Sequence, residues 1–430
     1  MSMNSYISNK INKIAKKSIL IENIFFSMFS HGLNYLFPLI TFPYLVRTLG
    51  IAEFGSVTFT QNITNYFITI IIFGFHLTGT NEIAQRGESG TEKNRIFHEI
   101  LFARFALLFV CIVILITSVL FVERIHQASI LHFLAFLAVV GWVFQSDFFF
   151  QGIQQMKFLS FANFISRLLA LVIIFGGVKS QADTYIAVLG YGVGGFLGGV
   201  FCFIAAYTKY QLQWYIPSRS AIWSQIVSSY HVFLSALAVN LYGSSINLLI
   251  LGFVTNTLLV GYYSIADRIF MLICAIAIPL NQVIFPYLSK LATSDYSKYK
   301  HLTKTLTIFF IGGFSLLGLL IYFLAPIIVH LISGKPNQQS VEILRILVFC
   351  MPIYPLGFTY TNLFIIHNQK KYIVMLNGLL VIINLSLIYP MLHIWGIKGL
   401  AYNNLIVFIA MTFIGIYIIK TKNIFQPTIT

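Results

Sequence analysis

Two arginines and two aspartates interrupt long apolar segments of this chain. Arg167 lies four residues after Asn163, Arg268 directly follows Asp267, and Asp147 lies in another such segment. A charge at mid-bilayer costs about 2.5–3.5 kcal/mol, so ionisable residues in apolar segments are candidates for function. The guanidinium fork suits a phosphate or carboxylate, and Asp267 or Asp147 could carry a cation. The alternative interpretation is a buried ion pair between helices.

Amide side chains form stripes at helical spacing in the same kind of segment. They line a wet cavity or hydrogen-bond to neighbouring helices, and their concentration in the opening helices of each half favours a cavity. Two further arginines, Arg104 and Arg345, lie nearer segment ends, where they snorkel to headgroups or face a cavity. The candidate amides, with Asn163, are Asn34, Gln61, Asn65, Asn240 and Asn247.

The segments that position these residues are too apolar for a water-soluble protein. Of all residues, 58% are hydrophobic and 9% are charged, whereas a soluble domain carries about 25% charged residues. Their length fits bilayer-spanning helices, and the alternation typical of membrane β-strands is missing. The sequence predicts an all-α integral membrane protein with about 12 transmembrane helices, at 19–46, 54–79, 100–121, 130–150, 158–177, 184–207, 224–254, 259–288, 302–332, 341–366, 373–393 and 397–420.

The distribution of positive charge predicts the orientation. If residue 1 lies in the cytoplasm, 18 of the 27 lysines and arginines fall on that side and five on the other. This asymmetry over short loops places both termini in the cytoplasm. The net charge of +15 is explained by basic loops that face the anionic lipid of the cytoplasmic leaflet. Nucleic acid is therefore not an expected partner.

Two sequence echoes indicate that the second half of the chain repeats the first. QMKF at 155–158 recurs as QKKY at 369–372, and GSVT at 55–58 resembles GYYS at 261–264, at offsets of 214 and 206 residues. The pattern predicts two pseudo-symmetric six-helix lobes of the same orientation. The expected organisation is a cytoplasmic N-terminal segment (1–18), an N-terminal lobe (19–207), a cytoplasmic linker (208–223), a C-terminal lobe (224–420) and a cytoplasmic tail (421–430).

Several longer phrases resemble a known family. They are FPYLVRTLGIAEFG (42–55), FFFQGIQQMKFLSFANFISRLL (148–169), VGYYSIADRIF (260–270), ILRILVFCMPIYPLGFTYTNL (343–363) and GIKGLAYNN (396–404). The sequence resembles the Wzx-type O-antigen flippases of the polysaccharide transport family, within the multidrug/oligosaccharidyl-lipid/polysaccharide exporter superfamily.

The resemblance implies a V-shaped pair of lobes in the bacterial inner membrane. Such a protein moves an undecaprenyl-pyrophosphate-linked oligosaccharide from the cytoplasmic to the periplasmic leaflet by alternating access, with no cofactor. Membrane lipids and other polysaccharide assembly proteins are the implied partners. Arg268, beside Asp267, lies at a place similar to a cavity arginine of the lipid II flippase of the same superfamily. Arg47 ends the first predicted helix and joins the candidate substrate-binding residues.

Other functions are less consistent with the sequence. A multidrug exporter of the same superfamily would prefer acidic cavities for cationic drugs. An O-antigen polymerase usually has a large periplasmic loop, and a membrane glycosyltransferase would need a metal-binding DxD motif; neither is found in the sequence. The four cysteines lie in four different predicted helices without a CxxC pair, which indicates apolar packing and neither metal binding nor disulfides.

Overall fold

The computed structural model describes residues 3–86 and 89–422, except for the side chains of 3–21, 24 and 31. Within these ranges the chain is helical and contains no strand, which confirms the all-α prediction. Residues 1–2 of the predicted N-terminal segment and 423–430 of the predicted tail lie outside the described residues. The α-helices are α1 (Met3–Ile72), α2 (Phe75–Arg86), α3 (Gly90–Phe121), α4 (Glu123–Gln127), α5 (Ser129–Phe144), α6 (Asp147–Gly152), α7 (Met156–Gly177), α8 (Thr184–Tyr210), α9 (Arg219–Tyr242), α10 (Ser244–Val254), α11 (Thr257–Cys274), α12 (Ala277–Ser294), α13 (Tyr296–Ser333), α14 (Gln338–Leu347), α15 (Tyr354–Ile366), α16 (Lys371–Trp395) and α17 (Ile397–Thr421).

Eleven helical stretches of the described chain are long and apolar enough to cross a membrane. The first, Phe25–Arg86, covers most of the first predicted helix and all of the second. Inside α1, Gly50 has the non-helical angles φ 78° and ψ 170°, a conformation that glycine adopts without steric cost. Dividing the stretch at this glycine accounts for the difference between eleven stretches and twelve predicted helices.

Helix breaks recur at equivalent places in the two halves of the chain. The fourth predicted helix is divided into α5 and α6, and the tenth, six helices later, is divided into α14 and α15. Local side-chain caps fix several other helix starts: Asn256 Oδ1 accepts a hydrogen bond from Leu259 N at 3.0 Å, and Asp295 Oδ1 accepts one from Lys298 N at 2.9 Å. Such caps satisfy N–H groups that the first turn leaves unpaired. The shared breaks agree with the duplication inferred from the sequence.

A close helix crossing relates the two copies of the glycine echo. A β-carbon on Gly55 would overlap the carbonyl oxygen of Thr257, and one on Gly261 would overlap the carbonyl oxygen of Ile51. The two contacts are equivalent under the 206-residue offset of the repeat. Ile51 corresponds to Thr257, and Gly55 corresponds to Gly261. The two glycines of the echo therefore let α1 and α11 approach at backbone distance.

The described residues form two compact units. The first comprises the described residues up to Phe42 together with Ile63–Ala236, and the second comprises Pro43–Asn62 and the described residues from Leu237 onward. These units are defined by packing, whereas the predicted lobes 19–207 and 224–420 are defined by chain order. The lobe boundaries stay a prediction.

In the first unit, α8 packs closely against α5 and α7 through glycines. A β-carbon on Gly199 would overlap the carbonyl oxygen of Gly141 on α5, and one on Gly194 would lie 2.5 Å from the carbonyl oxygen of Ser166 on α7. Small residues at helix interfaces allow this approach in membrane proteins. The packing holds α7, which carries Arg167, in a fixed position.

Candidate functional site

The first candidate site surrounds Arg167 on α7, in the first unit. Its Nη2 donates a hydrogen bond to Asn34 Oδ1 of α1 at 3.2 Å, and its guanidinium carbon lies 4.9 Å from the centre of the Phe37 ring. Tyr191 of α8 meets Phe37 edge-on and donates a hydrogen bond to Thr41 Oγ1 at 3.4 Å. All of these neighbours are uncharged, so none of them neutralises the guanidinium.

A ladder of hydrogen bonds between α1 and α7 positions Arg167. Each rung joins residues 133 or 134 positions apart, and successive rungs are three or four residues apart on each helix. This spacing keeps all the rungs on one face of each helix. The rungs are Met156 N to Asn23 Oδ1 at 3.0 Å, Ser160 Oγ to Phe26 O at 2.7 Å, Asn163 Nδ2 to Ser30 Oγ at 2.8 Å, and Arg167 to Asn34.

The second candidate site surrounds Arg268 on α11, in the second unit. Its Nη2 donates a hydrogen bond to Gln61 Oε1 at 2.6 Å, and its guanidinium carbon lies 5.2 Å from the centre of the Phe54 ring. Asn62, beside Gln61, donates to the carbonyl oxygen of Ser245 at 2.6 Å. Gln61 is thereby anchored next to α10, and it holds Arg268 within the unit.

The two arginine sites share one construction. In each, a half-buried guanidinium donates to one amide oxygen of α1 and lies over one buried phenylalanine ring of the same helix. An uncharged amide and a ring orient each guanidinium without neutralising it, and Arg268 also interacts electrostatically with the adjacent Asp267. The structure places Arg167 with Asn34 and Asn163, and Arg268 with Gln61.

A buried polar network lies beside Asp267 in the second unit. Asn247 Nδ2 donates to Asn404 Oδ1 at 2.7 Å, and Asn404 Nδ2 donates to Tyr263 Oη at 2.9 Å and to Ser244 Oγ at 3.3 Å. Ser244 is also within hydrogen-bonding reach of Asp267. Asp267 itself is only 6% exposed.

Two oxygen atoms of this network have no hydrogen-bond partner among the described residues. They are Asp267 Oδ1 and Asn247 Oδ1. Buried polar atoms are nearly always paired, and an unpaired one costs free energy. Oxygen atoms of carboxylate, amide and hydroxyl groups are the ligands that hard cations prefer. The unpaired carboxylate oxygen of Asp267 is therefore a candidate cation ligand.

Asp147, the other candidate cation ligand, is paired with an arginine. Arg104 Nη2 lies 2.9 Å from Asp147 Oδ1, and the guanidinium also donates to the carbonyl oxygens of Gln145 and Trp142. Arg104 is fully buried, so it does not snorkel to the headgroups. The pair stabilises the connection of α3 with the break between α5 and α6.

The polysaccharide biosynthesis family matches the chain at residues 20–292, under the description "Polysaccharide biosynthesis protein". The chain belongs to this family. A "Putative O-antigen transporter" of Escherichia coli (strain K12) is 30% identical over 392 residues, which cover 90% of this chain and 93% of the relative. A protein of the same name from Shigella dysenteriae is 27% identical, with 88% and 94% covered.

Solved structures of two kinds of transporter share the fold. The lipid II flippase MurJ, in an inward closed conformation, superposes with a TM-score of 0.69 at 14% identity, covering 94% of this chain and 89% of MurJ. An inward-facing multidrug resistance transporter of the MATE family gives a TM-score of 0.69 at 13% identity, covering 92% of this chain and 100% of the transporter. At these identities the likeness shows the fold alone.

These comparisons confirm the resemblance drawn from the sequence phrases. The family, the named transporters among its relatives and the apolar helices identify a multi-pass membrane transporter and not an enzyme. They agree with a location in the bacterial inner membrane. The orientation of the termini stays a prediction.

Three further predicted site residues of this family member lie on α1 and α9. Arg47 is exposed and donates to the carbonyl oxygen of Leu331 near the end of α13, which makes it a cap of that helix. Asn65 is exposed, and its carbonyl oxygen accepts a hydrogen bond from Thr69 at 2.8 Å. Asn240 is half-buried on α9. Their roles in substrate binding stay predictions.

Sequence reasoning did not single out three buried asparagines of the second unit. Asn384, Asn403 and Asn404 lie in the last two helices and are at most 2% exposed. Asn403 Nδ2 donates to Asn384 Oδ1 at 2.6 Å, and Asn384 Nδ2 donates to the carbonyl oxygen of Leu241 at 2.9 Å. An amide in an apolar segment is itself a signal, because it needs a partner there.

Proposed function

We propose that this protein flips an undecaprenyl-pyrophosphate-linked O-antigen or polysaccharide repeat unit from the cytoplasmic to the periplasmic leaflet by alternating access. The observation that carries the proposal is the pair of arginine sites, in each of which the guanidinium donates to an amide oxygen of α1, in a member of the polysaccharide biosynthesis family. Cytoplasmic termini and contacts with other polysaccharide assembly proteins belong to the same proposal.

The chemistry of the substrate requires fixed positive charge along its path. A pyrophosphate loses its hydration when it enters a low-dielectric layer, and that loss is costly unless cations and hydrogen-bond donors replace the water. Arg167 and Arg268 supply two such cations. The amides of α1 that pair with the arginines, Asn34 and Gln61, supply hydrogen bonds to sugar hydroxyls once the substrate displaces them from the arginines.

Replacing the arginines tests the proposal. In a strain that lacks the native gene, Arg268→Ala and Arg167→Ala should abolish surface polysaccharide, and the lipid-linked repeat unit should accumulate in the cytoplasmic leaflet. Arg345→Ala is the matched control, because Arg345 also lies over an aromatic ring, that of Tyr322, 5.0 Å away. Its surface polysaccharide should stay near the wild-type amount.

The outcome separates the proposal from its rival. Full surface polysaccharide in Arg268→Ala, with normal protein in the membrane, would contradict the assignment of the site. A deletion strain that becomes sensitive to cationic drugs while its surface polysaccharide is unchanged would favour a multidrug exporter. Arginines in the path disfavour that rival, since they repel cationic drugs.

We further propose that a coupling cation binds at Asp267. Asp267 Oδ1 and Asn247 Oδ1, two buried oxygen atoms without hydrogen-bond partners among the described residues, support this choice. Asp147 was the other candidate, and its ion pair with Arg104 makes it the weaker one. Asp267→Asn should remove the dependence of flipping on a sodium or proton gradient, whereas gradient-dependent flipping in that variant would exclude Asp267.

A further inference from the structure

Six exposed lysines lie together at one end of the second unit. They come from the turn between α12 and α13 and from the turn between α15 and α16. A hydrophobic cluster that buries Leu291 of α12, Tyr299 of α13 and Leu363 of α15 holds these helix ends together. A hydrogen bond between Tyr299 Oη and His367 Nε2 at 3.3 Å also joins the two turns. This lysine cluster consists of Lys290, Lys298, Lys300, Lys304, Lys370 and Lys371.

The lysine cluster has no acidic partner among the described residues. None of its members forms an ion pair with a described carboxylate. The two turns and the helix ends beside them, 285–305 and 363–375, contain a single acid, Asp295. Its carboxylate accepts a hydrogen bond from the backbone N–H of Lys298 at 2.9 Å, so it serves as a helix cap. Like charges held close together repel one another, and an anion that bridged the lysines would relieve the repulsion.

The equivalent turn of the first unit neutralises its lysine. Lys157 in the QMKF copy of the repeat corresponds to Lys371 in the QKKY copy. Lys157 Nζ lies 3.7 Å from Glu22 Oε1, whereas Lys371 has no such partner in the described chain. The second copy also has Lys370 where the first has Met156. The second unit has therefore gained positive charge at this turn and lacks the acid that balances it in the first.

A general attraction of basic loops to anionic lipid does not explain this difference, because it acts on both units. In the first unit acids weaken that attraction, as where Arg95 lies 3.3 Å from Glu92. Helix stability does not explain the lysines either. Lys298 lies in the first turn of α13 and Lys371 begins α16, and positive charge is unfavourable at these ends of a helix. The lysine cluster is better suited to an anion that concentrates several negative charges.

The position of the lysine cluster identifies the anion. Ile419, near the end of α17, packs against the same hydrophobic cluster, so the lysines lie at the end of the second unit where the described chain ends. With both termini in the cytoplasm, as the proposed function has it, the lysines meet the headgroups of the leaflet in which the substrate begins. A diphosphate joins two charged phosphoryl groups through one oxygen and can contact several lysines at once, whereas phosphatidylglycerol brings a single charge.

We propose that the lysine cluster is a first binding site for the diphosphate head of the lipid-linked substrate in the cytoplasmic leaflet. The proposal rests on the proposed function for the substrate and for the orientation. Lysines at this surface raise the local concentration of the diphosphate. The substrate binds here before it reaches Arg268, which holds it during transport.

Binding of farnesyl diphosphate to the purified protein in phosphatidylcholine nanodiscs tests the site without transport. The protein carries Arg167→Ala and Arg268→Ala, so that the arginine sites do not contribute. Farnesyl diphosphate should bind saturably, and farnesyl monophosphate and phosphatidylglycerol should bind more weakly. Neutralising four lysines together should weaken diphosphate binding about tenfold or more, because four favourable charge interactions are lost. The four changes are Lys298→Gln, Lys300→Gln, Lys370→Gln and Lys371→Gln.

Matched variants separate the site from the net charge of the protein. Arginine at the same four positions keeps the positive charge and should preserve binding. A control in the first unit removes four positive charges and should leave binding unchanged. Equal losses in the lysine variant and in this control, or equal affinity for phosphatidylglycerol and farnesyl diphosphate, would overturn the proposal. The control changes are Lys93→Gln, Lys157→Gln, Lys209→Gln and Arg219→Gln.

The two proposals fail separately. If diphosphate binding does not depend on the lysines while Arg268→Ala abolishes flipping, the first binding site is wrong and the proposed function stands. If the lysines bind the diphosphate while Arg268→Ala flips normally, the assignment of the arginine sites is wrong and the lysine site remains.

Discussion

Removing the charge of Asp147 should strongly destabilise the first unit. Its partner Arg104 has a side chain that is 1% exposed, and the Asp147 side chain is 10% exposed. Asp147→Asn leaves the guanidinium buried without a counter-ion, and breaking a buried ion pair in this way costs about 3–5 kcal/mol. The carbonyl oxygens of Gln145 and Trp142 still accept from Arg104, so the loss should lie near the lower end of that range.

A double mutant separates the lost pair from the cost of the stranded charge. Arg104→Met with Asp147→Leu removes both charges and keeps apolar volume, so it should regain most of the free energy of unfolding that Asp147→Asn loses. The control is Glu342→Gln, which breaks the pair of Glu342 with Lys398. Those side chains are 34% and 44% exposed, and water screening limits the effect to about 1 kcal/mol.

Reversible unfolding in detergent micelles, followed by circular dichroism, measures these differences. Equal losses in Asp147→Asn and Glu342→Gln would refute the inference that burial makes the first pair strong. Additive losses in the double mutant would show that Arg104 and Asp147 are not coupled. If Asp147→Asn kept its stability but lost cation-dependent flipping, the coupling cation would belong at Asp147.

Three other predictions follow from single positions. Gly261→Ala should lower the thermal unfolding temperature in detergent, since its β-carbon would overlap a backbone carbonyl, whereas Gly313→Ala, with nothing within 4 Å, should leave that temperature equal or slightly higher. Asn34→Asp should reduce flipping more than Asn34→Ala at equal protein amounts, because the new carboxylate would neutralise Arg167; equal flipping by the two variants would contradict this. Burial lowers the pKa of His367, so the unfolded chain takes up a proton more readily, and stability should fall as the pH drops below about 6.5. His367→Gln should flatten that dependence in unfolding measurements between pH 7.5 and 5.5, and an unchanged slope would refute the assignment.

The sequence alone determined the class of the protein and most of its helices. A bilayer-spanning helix must be apolar over about 20 residues wherever it packs, so hydropathy predicts the segments one by one. The glycine echo was likewise visible at a fixed offset, and it marks the close crossing at Gly55 and Gly261. The cost of a buried charge singled out Arg167, Arg268 and Asp267 for the same local reason.

Only the tertiary structure decided which polar groups meet. Asp147 and Asp267 both lie in apolar segments of the sequence. In the structure Asp147 pairs with Arg104, which precedes it by 43 residues in the chain. Asp267 instead lies beside a network that includes Asn404. Thr303 and Thr305 are two residues apart, and helix packing puts one in a pocket and the other on the surface. Such pairings depend on the rotation and packing of whole helices against one another, which local composition does not specify.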